Sequence, residues 1–200
     1  MKTLIRDCRR FILSYRYILE KAPLQTYASA ILFSPRNSPL RQAFLTETAP
    51  WVENFISPDE EWGPCLQTLE GHIDSVNIVV FSPDGELAAS GSDDNTVRLW
   101  NTKTGESRGV LEGHWRSVRT VVFSPNGELI ASGSDDDTVR LWDIKTGETR
   151  GMLRGHSRSI TTVVFSPDGE LIVSGSGDRT LRLWDTKTGE SRGTLEGHSD

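Results

Sequence analysis

The chain is poor in the residues that build redox, metal and nucleotide sites. Its 200 residues include only two cysteines and four histidines. Cys8 and Cys65 stand too far apart for a CxxC redox or zinc motif, and without a secretion signal they indicate free thiols in a reducing compartment. The sequence contains no GxxxxGKS/T, GxGxxG or GxSxG motif, so it predicts neither a nucleotide site nor a hydrolase nucleophile turn. We therefore expect no cofactor.

Long apolar runs are missing as well, which argues against a membrane helix or a signal peptide. The formal net charge is −6. Residues 1–57 contain 8 Lys/Arg and 4 Asp/Glu, net +4, whereas residues 58–200 contain 14 and 24, net −10. Nucleic-acid binding depends on neutralising phosphates with basic residues, so an acidic main body disfavours it. The expected partners are other proteins, and the expected location is cytoplasmic.

One feature recurs with a fixed period. The dipeptide Gly-His contains every histidine of the chain and returns every 42 residues. Residues 71–112 and 113–154 agree at 30 of 42 positions. A period in the low forties is typical of propellers and solenoids built from one small unit. The four copies of the dipeptide are Gly71-His72, Gly113-His114, Gly155-His156 and Gly197-His198.

A single unit has the pattern of four short strands. Within 113–154, residues 118–123, 129–131, 138–142 and 149–153 are β-branched, aromatic or alternating segments of strand length. The turns between them contain Pro, Asn, Asp and Gly, the residues that favour tight turns. No segment from 66 to 200 has a helical period. The unit is therefore predicted to be an antiparallel meander.

These motifs resemble the WD-repeat family of β-propellers. Gly-His opens each unit, SPDGE or SPNGE marks the first hairpin, and SGSDD or SGSGD precedes the third strand. Trp-Asp closes that strand at Trp142-Asp143 and Trp184-Asp185, while the first unit departs with Trp100-Asn101. At Asn101 the departure affects a local hydrogen-bond acceptor and not the fold.

The resemblance implies a mainly β fold, a partial propeller of three four-stranded antiparallel blades behind a short α-helical segment. The expected blades are residues 75–111, 117–153 and 159–195, and residues 66–70 are expected to be the outer strand of a further blade. Three blades are fewer than the four or more of a closed propeller, so the ring is expected to be open and the chain a fragment of a larger protein. Open blade edges would favour self-association.

Each unit contains a His, a Ser and an Asp, a set that would also suit a hydrolase triad. Three near-identical catalytic sites in one small chain are implausible. The family resemblance instead implies a buried hydrogen-bond network from Asp through His and Ser to Trp, which satisfies polar groups that are costly to bury alone. We expect no catalytic residue and no metal ligand. The network residues are His72, Ser90, Asp94, Trp100, His114, Ser132, Asp136, Trp142, His156, Ser174, Asp178 and Trp184.

The repeats differ mainly just after each histidine, on loops that the family uses for docking. Trp and Arg are the residue types that most often contribute interface energy. A variable, solvated loop with a partly packed Trp is the alternative interpretation. The predicted partner contacts are Trp115, Arg116, Arg119, Arg158, Asp93 and Asp135.

The first 65 residues are of another kind. Lys2 to Glu20 has an amphipathic helical pattern, and a packing helix is favoured over a mitochondrial presequence because Asp7 and Glu20 are acidic. A second helix is predicted over residues 24–33 and a third from Ser38-Pro39 to Leu45. The predicted organisation is a helical segment (1–49), a linker (50–65) and WD repeats (66–200: 71–112, 113–154, 155–196 and the start of a fourth at 197–200).

The N-terminal segment also resembles the linker that precedes the propeller in fungal NACHT/WD-repeat proteins of the NOD-like receptor class. The residues that carry this likeness are 10–13, 22–25, Tyr27, 29–30, 33–35, Trp62 and 66–72. The main functional hypothesis is a protein-interaction scaffold. The alternatives are the ligand-sensing C-terminal part of a NACHT-type nucleotide-dependent receptor and, much less favoured, a hydrolase using the Ser/His/Asp sets.

Overall fold

A computed structural model describes residues 2–21, 30–31, 33–44, 65 and 67–196. The chain divides into two compact units, residues 1–69 and residues 70–200. The predicted linker over residues 50–65, including Trp51 and Trp62, lies outside the described residues except for Cys65. The same holds for the start of a fourth repeat at residues 197–200.

The first unit contains helix α1 (Lys2–Lys21) and helix α2 (Pro39–Phe44). The amphipathic helix predicted at the N-terminus is confirmed, and Phe11 on its apolar stripe is buried with Leu40 of α2. The stripe as a whole is only partly covered. Leu4, Ile5 and Ile12 remain exposed. Of the second predicted helix, residues 30, 31 and 33 are described, and they are helical.

A buried carboxylate joins α1 to the start of α2. Ser38 is the N-cap of α2, since the Arg41 amide donates to Ser38 Oγ at 3.1 Å, as the sequence predicts. Asp7 Oδ2 accepts from Ser38 Oγ at 2.7 Å and from the Leu40 amide at 2.9 Å. Asp7 thus satisfies backbone and side-chain donors at a helix start and is 5% exposed. Sequence reasoning did not anticipate this role.

In the second unit, residues 70–196 form twelve strands in three four-stranded antiparallel sheets, each a meander in chain order. The three sheets form blades that do not close into a ring, as expected. Blade 1 is β1 (Val76–Phe81), β2 (Leu87–Ser92), β3 (Val97–Asn101) and β4 (Ser107–Leu111). Blade 2 is β5 (Val118–Phe123), β6 (Leu129–Ser134), β7 (Val139–Asp143) and β8 (Thr149–Leu153). Blade 3 is β9 (Ile160–Phe165), β10 (Leu171–Ser176), β11 (Thr180–Asp185) and β12 (Ser191–Glu196).

The outer strand expected at residues 66–70 is not found. Residues 67–70 have no strand conformation, and Leu66 lies outside the described residues. A strand needs a neighbouring strand to take up its backbone hydrogen bonds, and no described strand pairs with this segment.

The first strand of each blade (β1, β5 and β9), which we call its inner strand, has a register shift near its start. Val76 pairs with Ser92 and Ile78 with Gly91, so Asn77 is the extra residue between them. The same shift leaves Arg119 unpaired in blade 2 and Thr161 unpaired in blade 3. A bulge redirects the side chain of its extra residue. Three of the positions at which the repeats differ therefore sit at bulges.

The hydrophobic core lies between blades rather than within them. One cluster joins the back of blade 1 to the front of blade 2, and a second joins blade 2 to blade 3 in the same way. We use "front" for the face of a blade towards the preceding blade and "back" for the face towards the following one. The first cluster is Ala89, Val97, Leu99 and Leu111 with Val118, Val121, Phe123, Ile130 and Trp142.

Two glycines form sockets at these interfaces. Val118, the first residue of β5, lies over Gly91 of blade 1, and a Cβ on Gly91 would lie 2.7 Å from Val118 Cγ1. Ile160, the first residue of β9, lies over Gly133 of blade 2, with a corresponding distance of 2.5 Å to Cγ2. Glycine is needed at these two positions because the next blade occupies the space of a side chain.

We expect Gly133→Ala to destabilise the protein by about 1–3 kcal/mol, because the added methyl would overlap Ile160 in a close-packed core. Gly151→Ala in the same blade is the matched control, since a Cβ there meets no atom within 4 Å. Urea unfolding of the two variants measures the difference. Equal stability of both would contradict the socket.

Candidate functional site

The loops at one end of the blades bring the histidines and the variable residues together. In each meander the segment that enters the inner strand and the turn between the second and third strands lie at the same end. We call this end the histidine face. In blade 2 it comprises residues 113–117 and 135–138.

The four side chains of each predicted set meet within hydrogen-bond distance. In blade 2, His114 Nδ1 is 2.7 Å from Asp136 Oδ2, and His114 Nε2 is 2.8 Å from Ser132 Oγ. Trp142 Nε1 donates to the same Ser132 Oγ at 2.8 Å. When the Nδ1 proton of His114 points at the Asp136 carboxylate, His114 Nε2 accepts the proton of the Ser132 hydroxyl. Every polar side-chain atom that links these four residues then has a partner.

Blades 1 and 3 repeat this geometry. The three corresponding distances are 2.7, 2.7 and 2.8 Å in blade 1 and 2.8 Å each in blade 3. The network of blade 1 consists of His72, Asp94, Ser90 and Trp100, and that of blade 3 consists of His156, Asp178, Ser174 and Trp184.

The aspartates of the three networks have lowered pKa values in the folded protein. Burial by itself raises the pKa of Asp136, but hydrogen bonds from His114 and Thr138 outweigh it and lower the pKa to about 2. The pKa values of Asp94 and Asp178 are also lowered against burial, mainly by the hydrogen bond from the Thr96 side chain to Asp94 and by that from the Ser157 amide to Asp178. These carboxylates are therefore charged acceptors at neutral pH.

The same atoms would suit proton transfer, but their burial decides what they can do. Ser132 and Ser174 are fully buried, and Ser90 is 4% exposed. A nucleophile must reach a substrate carbonyl next to oxyanion-stabilising donors. A substrate cannot reach these hydroxyls, which already accept from a tryptophan. The arrangement holds strands together instead.

The aspartates also fix the loop that follows each histidine. Asp136 Oδ2 accepts from the Trp115 amide at 3.3 Å, and Asp94 Oδ2 accepts from the Ile73 amide at 3.1 Å. In blade 3, Asp178 Oδ2 accepts from the Ser157 amide at 3.0 Å. The backbone after each histidine is thus held in the same place, while its side chain changes from Ile to Trp to Ser.

Sequence reasoning missed a close approach at the glycine before the histidine of each described blade. A Cβ on Gly113 would lie 2.7 Å from Arg140 Nη1 and 3.3 Å from the Trp142 ring. Arg140 also lies over the Trp142 ring, with 5.8 Å from Cζ to the centroid. Arg98 and Arg182 occupy the same half-buried position in their blades as Arg140 does in blade 2. The sequence signal for this contact was the joint recurrence, in every unit, of Gly-His and of an Arg two residues before the Trp.

Asn101 replaces the aspartate of Trp-Asp without loss of its turn. Asn101 Oδ1 accepts from the amides of Lys103 and Thr104 at 2.9 Å each, as Asp143 does for its own turn at 2.9 and 3.1 Å. Asp143 additionally pairs with Arg150 at 3.0 Å. The expectation that Asn101 leaves the fold intact is confirmed.

Of the predicted partner contacts, Trp115 and Arg116 form an exposed pair. The Trp115 side chain is 63% exposed, and the Arg116 guanidinium carbon lies 4.8 Å from its ring centroid. Arg158 is also exposed, at the position equivalent to Arg116 in the next repeat. A stacked cation keeps an exposed indole in a defined orientation.

Three other predicted contacts pair with each other. Arg119, on its bulge, donates to Asp135 Oδ2 at 2.6 Å from Nη2, and its Nη1 lies 3.3 Å from Asp93 Oδ1. Asp93 belongs to blade 1, so this cluster bridges the two blades. Asp93 also accepts from Asn77 Nδ2 at 2.8 Å, and that hydrogen bond is the main cause of its lowered pKa.

Within the described part of the chain, no group of three or more His, Cys, Asp or Glu side chains is arranged to hold a metal ion. In the same residues, neither helix is long and apolar enough to cross a membrane.

We expect Ser132→Ala to destabilise the protein by about 1–3 kcal/mol, because it leaves the buried Trp142 Nε1 and His114 Nε2 without their shared partner. Ser107→Ala, on an exposed outer strand, is the matched control and should change stability by less than about 0.5 kcal/mol. Urea unfolding followed by tryptophan fluorescence measures both. A Ser132→Ala variant as stable as the control would exclude the network as a stabilising element.

The network also predicts acid sensitivity. The pKa of Asp136 is about 2 in the folded protein, below its ordinary value of 3.8. The charged carboxylate therefore stabilises the fold fully above pH 3.8, and this contribution is lost as the pH falls towards 2. Asp136→Asn should be less stable than the parent protein at pH 7, and the gap between their melting temperatures should narrow from pH 4 to pH 2. A gap that stays constant over this range would contradict the charged role of Asp136.

Comparison with known proteins identifies the architecture. The family model described as "WD domain, G-beta repeat" matches residues 63–101, 105–143 and 147–185. The chain is 49% identical over 102 residues to the vegetative incompatibility protein HET-E-1 of Podospora anserina, a match that covers 51% of this chain and 8% of that protein. It is 48% identical over 52 residues to the serine-threonine kinase receptor-associated protein of Homo sapiens, which covers 26% of this chain and 15% of that protein.

Among solved structures, U3-55K is similar, with a TM-score of 0.64 and 25% sequence identity over 66% of this chain and 42% of that chain. The chain thus spans less than a fifth of either curated relative and less than half of the solved structure. The match to this fungal protein is consistent with the resemblance to fungal NACHT/WD-repeat proteins noted in the sequence. Three successive matches together cover more than half of the residues, and each contains one complete set of the buried His, Ser, Asp and Trp. They show that this protein belongs to the WD-repeat family of β-propellers.

Proposed function

We propose that the chain is a protein-interaction module that acts by display. Its blades hold variable side chains on the histidine face, where a partner protein docks. The observation that carries this proposal is Trp115: its backbone is fixed by Asp136, yet its side chain is 63% exposed and stacked by Arg116. A rigid, exposed aromatic loses little conformational entropy on binding, which favours its use as an anchor.

The proposed contact surface contains all six predicted residues in two roles. Trp115, Arg116 and Arg158 are the exposed contacts. Arg119 is exposed but is paired with the half-buried Asp93 and Asp135, so we assign these three residues to the rim. A rim of paired charges adds specificity more than affinity.

We further propose that the protein has no catalytic activity and no cofactor of its own. The only residues with a triad-like arrangement are, in the described blades, buried behind their own hydrogen bonds. The acidic main body supports protein partners rather than nucleic acid. A cytoplasmic location and the organisation into residues 1–49, 50–65 and 66–200 complete the proposal.

A second candidate function is the ligand-sensing part of a NACHT-type receptor. The similarity to a fungal incompatibility protein favours it. In that role the same histidine face would bind the ligand, and an upstream module would bind nucleotide. An interaction module and a sensor therefore share one surface.

The experiment is a quantitative pull-down with the full chain as bait and proteins of the source organism as prey. We expect Trp115→Ala/Arg116→Ala to lose at least one partner tenfold or more, which corresponds to about 1.4 kcal/mol. Lys103→Ala/Glu86→Ala is the matched control, since this exposed ion pair lies at the opposite end of the blades. An unchanged set of partners, with the fold intact by circular dichroism, would overturn the proposal.

A further inference from the structure

The loops that lead into the three inner strands differ in charge, although an aspartate holds the backbone of each one in the same way. Each loop has the form X-Gly-His-X-X, and its first and last residues are exposed in every blade. These two residues together carry a formal charge of −2 in blade 1, 0 in blade 2 and +2 in blade 3. We call this ordered change the charge gradient. The pairs are Glu70 and Asp74, Glu112 and Arg116, and Arg154 and Arg158.

The arginines of the charge gradient have no carboxylate partner. Arg154 Nε lies 2.9 Å from the Met152 sulfur, and Arg116 stacks on Trp115. Within the described residues, no carboxylate forms an ion pair with either arginine or with Arg158. Arg116 belongs to blade 2, which has a described blade on each side. Neighbouring blades therefore supply no acid to this position of the loop.

Other exposed arginines of the blades do pair with carboxylates of this chain. Arg150 pairs with Asp143 at 3.0 Å at the opposite end of blade 2, and Arg119 pairs with Asp135 at 2.6 Å on the histidine face. The planar fork of a guanidinium matches the two oxygens of a carboxylate. The arginines of the charge gradient keep this capacity for an acid from outside the chain.

A further guanidinium adds to the positive end of the charge gradient. A Cβ on Gly155 would lie 2.6 Å from Arg182 Nη1, so the Arg182 guanidinium lies against the residue that follows Arg154. Arg182 Nε is buried and has no hydrogen-bond partner in the described part of the chain. In blade 2 the equivalent Arg140 lies against the glycine that follows Glu112, an acidic residue. Blade 3 thus places two cations together where blade 2 has a cation and an acid.

We propose that an acidic segment of a partner protein docks on the histidine face, with Asp or Glu carboxylates over residues 154–158 of blade 3. This inference rests on the proposed function, since it names the chemistry of the partner that the histidine face binds. The negative loop of blade 1 repels the same segment. The charge gradient therefore also sets the direction in which the partner lies across the blades, because complementary potentials fix the register of a complex.

The charge gradient favours a protein segment over a nucleic acid. A nucleic acid carries charge along its whole length, so it would meet repulsion at the loop of blade 1 and from residues 58–200, whose net charge is −10. A protein can confine its acidic residues to the part that lies over blade 3. Carboxylates are also the groups with which Arg119 and Arg150 already pair in this structure.

Selection from a phage library of random peptides tests the inference on the full chain. We expect the peptides that the parent protein selects to be enriched in Asp and Glu, and their affinity to fall as salt rises, because salt screens exposed charges. Arg154→Glu/Arg158→Asp gives the blade 3 loop the residues that blade 1 has at the same positions. It should weaken binding of the selected peptides about tenfold or more, measured by fluorescence anisotropy, because like charges then face each other.

Lys145→Glu/Lys187→Asp is the matched control. It makes the same charge change at two exposed residues at the opposite end of the blades, and it should leave peptide binding unchanged. Selected peptides without an excess of Asp and Glu, or no selected peptide at all, would contradict the inference. So would equal binding to the parent protein and to Arg154→Glu/Arg158→Asp, or a labelled single-stranded DNA that binds more tightly than the peptides.

The failure of this inference can be told apart from the failure of the proposed function. Trp115→Ala/Arg116→Ala tests display on the histidine face, whereas Arg154→Glu/Arg158→Asp tests the charge of the bound segment. Peptides lost by the first variant and kept by the second would reject the acidic segment and leave the interaction module standing. Circular dichroism verifies that each variant keeps its sheets.

Discussion

A four-stranded blade of this size cannot bury its apolar side chains alone, so each blade of this protein depends on its neighbour. The contact is specific because the first residue of an inner strand lies over a glycine of the preceding blade, as Ile160 does over Gly133. The two clusters between the blades contain the largest fully buried apolar side chains of the second unit. Stability in such a stack is a sum over units and their interfaces.

Within a blade, a polar chain complements this apolar contact. Asp136, His114, Ser132 and Trp142 link the loop before β5 to strands β6 and β7 and to the turn between them. Buried polar groups stabilise only when each has its partner, and here each member satisfies the next. Because the same carboxylate also holds the Trp115 amide, the network that stabilises the blade fixes the loop that displays the variable residue. Structure and display are thus coupled through one side chain.

The residues that are the same in every repeat and those that differ therefore occupy different places in a blade. The residue after each histidine has a fixed amide and a free choice of side chain, while the histidine itself cannot change without stranding its partners. Bulges extend the variable positions to Asn77, Arg119 and Thr161, and at Arg119 the redirected side chain joins two blades. A propeller of this kind can change its partner without changing its core. This explains how a near-exact repeat can serve recognition.

The strands, their turns and the blade boundaries could be predicted from local sequence, because every unit repeats the same pattern at a period of 42 residues. The N-cap at Ser38 is also a local signal. The members of each buried network were implied by the resemblance to WD-repeat propellers and not by the period. Tertiary structure decided the rest: the absence of a strand at residues 67–70, the buried carboxylate of Asp7, and the pairing of Arg119 with Asp93 across blades. It also decided which copy of an apolar residue is covered, since Val79 and Val121 have the same local sequence. Their burial differs because it depends on what packs against them, and local sequence does not encode that neighbour.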